Sequence, residues 1–347
     1  MKKAFLLLTV ITVIACGTVS CKTEDQSSSG DLSSYYKVVE IRKPDKTIES
    51  IGLHSENYPV LDGATSTQPI RSLIACTVFG GRYTWIETID REMWLAPDFS
   101  QTTLSNEVIE ALSKKIFVNS KTHEAYLKLI RGEVDLILVS TLPSDDELKK
   151  AQSLGVKLEL CPIGLDGFVF LVNQSNPITN LKTRDIVDIY SGKVDNWQWF
   201  TGLDSPITAF TRPANSGSQE LMEKLVMKGI AISPTWKAEE SVILSMAPLI
   251  DGVEYNENAI GYSLYYYKNT MIDKRDDRPN VKLISIDGIE PDPANIASGK
   301  YPHVFNIYAV TRQNEPKNSI PYQIKEWLTS TEGQELITRA GYISLDK

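Results

Sequence analysis

Four times along this chain, a turn rich in serine and threonine leads into a run with helical spacing, and a strand-like apolar run commonly comes before the turn. These turns hold Thr65, Ser66 and Thr67; Ser120 and Thr122; Ser140 and Thr141; and Ser216, Gly217 and Ser218. After the first, Ile70, Leu73, Ile74 and Val78 recur at the helical period. Residues 116–140 read as strand, polar turn, helix, turn and strand, and 140–160 as strand end, turn, helix and strand. Further strands are expected at 166–173, 205–212 and 305–313, and helices at 181–190, 216–229 and 319–341, the last as one helix or a pair. Residues 258–268 read as a short aromatic turn. Alternating strands and helices predict an α/β fold with largely parallel pairing. In open α/β sheets ligands bind at the carboxyl ends of strands, where such turns lie.

The start of a helix leaves backbone N–H groups without internal partners and carries partial positive charge. Serine or threonine there caps the helix and can also donate its hydroxyl proton to an oxyanion. Taken singly, each cluster reads as plain capping; four on one scaffold point to an anion site. In "TRPANSGSQELM" (211–222), Gly217 lets the backbone approach a ligand closely. Arg212, four residues before Ser216, can add a bidentate charge-assisted contact.

An enzyme is not expected. A serine nucleophile needs a base in reach, and the three histidines, His54, His123 and His303, have no recognisable catalytic context. There is no G-x-S-x-G elbow, no phosphate-binding P-loop, and no His, Cys and Asp cluster with metal spacing. No cofactor and no metal are expected. Asp145 and Asp146 fall in a first helical turn, where carboxylates favour the helix dipole.

With 347 residues, 42% of them hydrophobic, the chain can build a real core and two lobes. Its net charge of −8 argues against a nucleic-acid partner, which would call for a basic face. A small anion is compatible with that charge, because local donors hold it. "MKKAFLLLTVITVIAC" pairs a basic start with an apolar stretch over 4–15, shorter than the about 20 residues of a membrane span. It reads as an export signal. "VIAC", closing on Cys16, and "TVSC", closing on Cys21, each resemble the lipobox of bacterial lipoproteins, whose cysteine becomes the lipidated N-terminus. Val13 and Ala15 favour Cys16; the polar stretch after Cys21 keeps it as the alternative, and a simple cleaved signal is the plainer reading. Residues 22–34 have no apolar pattern and read as a flexible tether. Cys76 and Cys161 each sit in an apolar run and are expected to be buried thiols, with a disulfide possible but not deducible.

"DGFVFLVNQSNPITNLKTRDIVDIYSGKVDNW" (166–197) resembles a segment of the PstS-like phosphate-binding proteins. "VLDGATSTQPI", "TRPANSGSQELM", "NAIGYSLYYY", "YPHVFNIYAVT" and "STEGQELITRAGYISL" resemble, in that order, the family's first ligand loop, its arginine-bearing anion loop, an Ala-Ile-Gly-Tyr turn, the closing strand and the C-terminal helix. The similarity covers roughly 59–345. It implies a type II periplasmic-binding-protein fold, two α/β lobes joined by crossing strands with the ligand cleft between them. The signal would be 1–21 and the tether with an N-terminal extension 22–58. The first lobe would be 59–168 plus 306–347, the second 169–305, with a hinge near "FVFLVN" and "VFNIYAV".

The resemblance implies a lipid-anchored, exported and monomeric receptor that hands inorganic phosphate to the permease of an ABC importer. The alternatives are a receptor for sulfate or molybdate, or a sensory binding protein without a transport role. Carried over by position, Thr65 and Ser66 match the first loop, Thr122 lies near the family's second-loop serine, and Arg212, Ser216, Gly217 and Ser218 match the anion loop. One departure stands out: where some family members place a buried Asp that accepts a proton from hydrogen phosphate, this chain has Ser140. An insertion over 82–115 is expected to pack on the first lobe rather than line the cleft.

Overall fold

In the computed structural model the described residues are 38–42, 52–87, 92–273 and 278–345, with only the backbone course described for 38–42. The leader, Cys16, Cys21 and the tether lie outside them. Twelve strands are named along the described chain: β1 (Val38–Arg42), β2 (Leu61–Gly63), β3 (Arg82–Glu87), β4 (Met93–Asp98), β5 (Leu136–Val139), β6 (Leu158–Asn173), β7 (Asn180–Leu181), β8 (Thr208–Ala209), β9 (Ala259–Leu264), β10 (Val281–Leu283), β11 (Ser285–Ile286) and β12 (Val304–Arg312).

The central sheet runs β2-β5-β12-β6-β9-β8, with β10 also on β6. Its inner strands are continuous apolar runs because both faces are covered: "LILV" of β5 and "FVFLVN" of β6 are buried throughout. β6 organises the molecule. Leu158–Gly167 pairs with β12, and from Phe168 onward the same strand pairs with β9 and β10. One unbroken strand therefore belongs to two half-sheets, the geometry of two α/β lobes sharing crossing strands.

The expected parallel pairing is only partly found. β2 and β5 are parallel, as are β8 and β9, whereas β12 runs antiparallel to β5 and β6, and β6 antiparallel to β9. The reason is topological: the crossing strands return against the strand direction of the helix-linked units, and hydrophobic periodicity does not encode direction. Other expectations are also corrected. Residues 116–119 are not a strand; Asn106–Ile116 is a helix, capped by Ser105. Residues 258–268 are not a turn: β9 is a strand with all six residues buried, followed by a wide helical turn over Tyr267–Ile272. Cys76 is buried, but Cys161 is only half-buried, and both are free thiols.

The insertion contributes the antiparallel pair β3-β4, to which β1 from the N-terminal extension adds a third antiparallel strand, followed by the Asn106–Ile116 helix. Trp85, Met93 and Leu95 enter the main core. Buried Gln68, at the start of helix Gln68–Phe79, latches the hairpin by donating to the Leu95 carbonyl (2.8 Å) and accepting from the Leu95 N–H (3.1 Å). So it packs on the first half as expected, with one exception described below. Among the described residues no helix is long and apolar enough to cross a membrane.

At the crossing, buried Asp166 accepts the Gly167 N–H (2.8 Å) and the Tyr266 N–H (3.0 Å), tying β6 to the segment leaving β9. Burial pushes its carboxyl up to about 7, against the opposing effect of those two donors. Because the folded-state value lies above the unfolded one, the folded state holds the proton more tightly. This contribution is fully present in acid and is lost as pH rises from about 4 to about 7, an effect on the order of a few kcal/mol. Asp166→Asn keeps the accepting oxygen and removes the buried charge. Urea unfolding from pH 5 to 8 is expected to show a fall in the parent that is reduced in the variant.

Candidate functional site

The site is built by a buried scaffold beneath two loops. Asp62, at the end of β2, accepts the N–H groups of Gly63 (2.7 Å) and Ser120 (2.8 Å). Arg71, buried in helix Gln68–Phe79, faces Asp62 at 3.6 Å and donates to the carbonyls of Ala64 (3.2 Å) and Val118 (2.5 Å) and to Asn119 Oδ1 (2.7 Å). One ion pair thus fixes the first loop (64–67) and the second (118–122) against each other. Desolvation lowers the Arg71 guanidinium to about 10, with Asp62 pulling the other way, so it remains a cation at neutral pH.

These loops and the 212–218 loop of the other half enclose a cavity of about 400 Å³. Thr65, Ser66, Thr122, Ser140, Arg212, Ser216, Gly217 and Ser218 all line it, bringing together side chains from four chain segments. Thr67 is the exception. Its buried hydroxyl faces the carbonyl oxygens of Ala64 (2.9 Å) and Leu138 (2.6 Å), so it locks the first loop onto β5 rather than facing the cleft. Its proton is used by the backbone, a competition that threonine in a turn often wins. The Ser66 and Ser140 hydroxyls are 3.1 Å apart and both buried.

Ser216 caps helix Gly217–Leu221 by accepting the Gln219 N–H (3.4 Å), which leaves its own proton free to donate. That helix continues as a wider turn over Met222–Met227. Arg212 is anchored by its backbone N–H, which faces the Tyr262 hydroxyl (3.0 Å) and Gln219 Oε1 (3.1 Å). Its Nη2 donates to the Leu244 carbonyl (3.2 Å), while buried Nε and Nη1 have no hydrogen-bond partner among the described residues. Burial lowers its pKa, opposed by the nearby Tyr262 and Glu92. A buried guanidinium with two unpaired donors beside hydroxyls is a receptor for an oxyanion, since orphaned buried donors carry a desolvation cost that an acceptor removes.

The two halves already touch across the cleft. Asn215 Nδ2 donates to Asp146 Oδ2 (3.3 Å), and Lys224 Nζ to the Pro143 carbonyl (3.2 Å). Asp146, expected only to serve its helix dipole, therefore also joins the halves. A Cβ on Gly217 would stand 2.6 Å from Thr122 Oγ1, so the loops fit this closely only because residue 217 is glycine. Gly217→Ala should hold them apart, costing about 1–3 kcal/mol of closure and roughly ten- to a hundredfold in anion affinity by calorimetry.

Residues that the sequence reading did not single out also line the cavity: Glu92, Lys121, Asn215, Leu244 and Met246 are among them. Lys121 (φ 64°) and Asn215 (φ 62°) hold left-handed backbone immediately before Thr122 and Ser216. Asparagine tolerates this, but for lysine it is a strained conformation of the kind kept at functional loops. His123, one of the three histidines without a catalytic context in the sequence, also lines the cavity and holds Glu147 at 2.8 Å while Glu147 completes a capping box with Ser144. Among the described residues no group of three or more His, Cys, Asp or Glu could hold a metal ion.

A family model described as the PBP superfamily domain matches residues 96–331, more than half of the chain. The chain belongs to this superfamily. The phosphate-binding protein PstS of Staphylococcus epidermidis is 27% identical over 232 residues, 65% of this chain and 68% of that protein. An ABC-type phosphate transport receptor from Vibrio cholerae shares the fold, with a TM-score of 0.54 at 23% identity over 82% of this chain and 99% of that one. A high-affinity periplasmic phosphate-binding protein, solved with phosphate bound, gives a TM-score of 0.56 at 13% identity over 82% of this chain and 90% of that one. These likenesses show the two-lobed α/β fold of such receptors.

Proposed function

We propose that this chain is an exported receptor that binds inorganic phosphate between its two lobes and delivers it to an ABC importer. The observation that carries the reading is Arg212, a buried guanidinium with unpaired Nε and Nη1 at a cleft lined by Thr65, Ser66, Thr122, Ser140, Ser216 and Ser218. The named relatives are phosphate-binding proteins and transport receptors, which supports phosphate as the ligand and binding rather than turnover as the activity. We assign 59–168 with 306–347 to one lobe and 169–305 to the other, a division supported by the partner change of β6 at Gly167 and Phe168. Closure of the lobes excludes water and lets hydroxyl, amide and guanidinium donors replace the hydration shell of the anion.

In the same reading, Cys16, with Cys21 as the alternative, carries a lipid anchor, 1–21 is the signal region, 22–58 the tether and extension, and the receptor acts as a monomer beside its permease. Phosphate uptake by cells lacking the gene tests the transport role. Uptake at low phosphate should fall and return with the wild-type gene but not with Arg212→Ala. Normal uptake without the gene would favour a sensory role, and loss of sulfate or molybdate uptake instead would reassign the ligand.

A further inference from the structure

We propose that Glu92, carried into the cleft by the inserted hairpin, is the residue that selects a protonated oxyanion over a fully ionised one. This rests on the phosphate reading above. Glu92 immediately precedes β4 and lines the cavity together with Arg212, Ser140 and Ser66. Its carboxylate accepts from the Tyr267 hydroxyl, just beyond β9, and from the Ala247 N–H (3.5 Å) in helix Met246–Tyr255. The hairpin from one half is thereby fixed against two elements of the other, with an acid beside the cleft's donors; the cavity's other carboxylate, Glu124, is paired with Arg131 (2.6 Å) and is common to parent and variant in the test below.

An ionised carboxylate only accepts hydrogen bonds. Hydrogen phosphate retains a P–OH that can donate to Glu92 while its other oxygens accept from Arg212 and the hydroxyls. Sulfate at the same pH has no proton, so its oxygens would face the carboxylate in a low-dielectric space, where unpaired like charges are costly. Sulfate can then bind only if Glu92 first takes up a proton. Burial pushes the Glu92 carboxyl up to about 7, opposed by the cations that face it, Arg212, Lys121 and Arg278, and by the Ala247 N–H. Arg278 is itself paired with Asp251 (2.8 Å). His123 also lines the cavity, held on Glu147, and is common to parent and variant in the test below.

The linkage fixes the sign. Sulfate binding that requires proton uptake weakens about tenfold per pH unit above the Glu92 pKa and levels off below it, whereas hydrogen phosphate brings its own proton. Calorimetric titration of the leaderless protein with phosphate and with sulfate, from pH 6 to 9, measures both. The expected result is a phosphate-to-sulfate affinity ratio that rises with pH above about 7 in the parent. In Glu92→Gln, which keeps an accepting oxygen for the phosphate proton and gains a donor for sulfate, the sulfate curve should flatten and sulfate affinity at pH 8 rise at least tenfold. The inference is overturned if the parent binds phosphate but its sulfate affinity does not fall with pH, or if Glu92→Gln leaves the ratio at pH 8 within about twofold. The parent's own pH curve decides the matter even if the variant folds poorly. A parent that binds neither anion overturns the phosphate reading itself, an outcome distinct from these.

Discussion

Arg212→Ala is expected to lower phosphate affinity by about a hundred- to a thousandfold while leaving the unliganded fold intact. Removing one member of a buried charge-assisted pair costs roughly 3–4 kcal/mol, because the remaining charge stays desolvated without its partner. In the free protein the balance is different. The guanidinium is buried with two unpaired donors, so its removal relieves a desolvation cost at the expense of one bond to the Leu244 carbonyl. Thermal midpoints without ligand should therefore change little, and the shift that phosphate produces in the parent should vanish. Arg212→Lys keeps the charge but not the planar fork and should recover only part of the affinity. A variant that binds as the parent does would remove Arg212 from the site.

Gly63→Ala is expected to cause the largest loss of stability among single-methyl changes near the cleft. A Cβ there would lie 1.9 Å from the Leu138 carbonyl oxygen and 2.9 Å from its carbon, and these are backbone atoms of β5 that cannot swing aside. The neighbouring bond, Ala64 N–H to the same Leu138 oxygen at 3.0 Å, and the Thr67 hydroxyl on that oxygen would both be displaced. Overpacking of this kind costs about 3 kcal/mol, seen as a lower urea midpoint with an unchanged slope. Since Gly63 leads directly into Thr65 and Ser66, the part of the population that folds should also bind phosphate less tightly. A midpoint equal to the parent's would mean that β2 and β5 have slack the geometry does not show.

Much of the candidate site was legible because its chemistry sits in local patterns. Serine and threonine before a helical run mark a helix start, and "TRPANSGSQELM" combines a cap, a glycine and an arginine within twelve residues. The carboxyl ends of parallel strands then place such turns together. What was hidden depends on tertiary pairing. Thr67 looks like its neighbours Thr65 and Ser66, yet its hydroxyl faces a carbonyl of β5, a strand 71 residues away. Glu92 stands in a segment with no cleft motif, and only the pairing of β3 with β4 and the contact with Tyr267 carry it to Arg212. Strand direction was equally hidden, since β6 and β12 have the same apolar period whichever way they run.

The central claim is that the cleft around Arg212 holds phosphate. Calorimetric titration of the leaderless chain, unfolded and refolded to strip bound ligand, tests it most directly when phosphate and then sulfate are added at pH 8. The account predicts tight binding of one phosphate per chain and little or no response to sulfate. Silence toward phosphate, or equal binding of both anions, would contradict it.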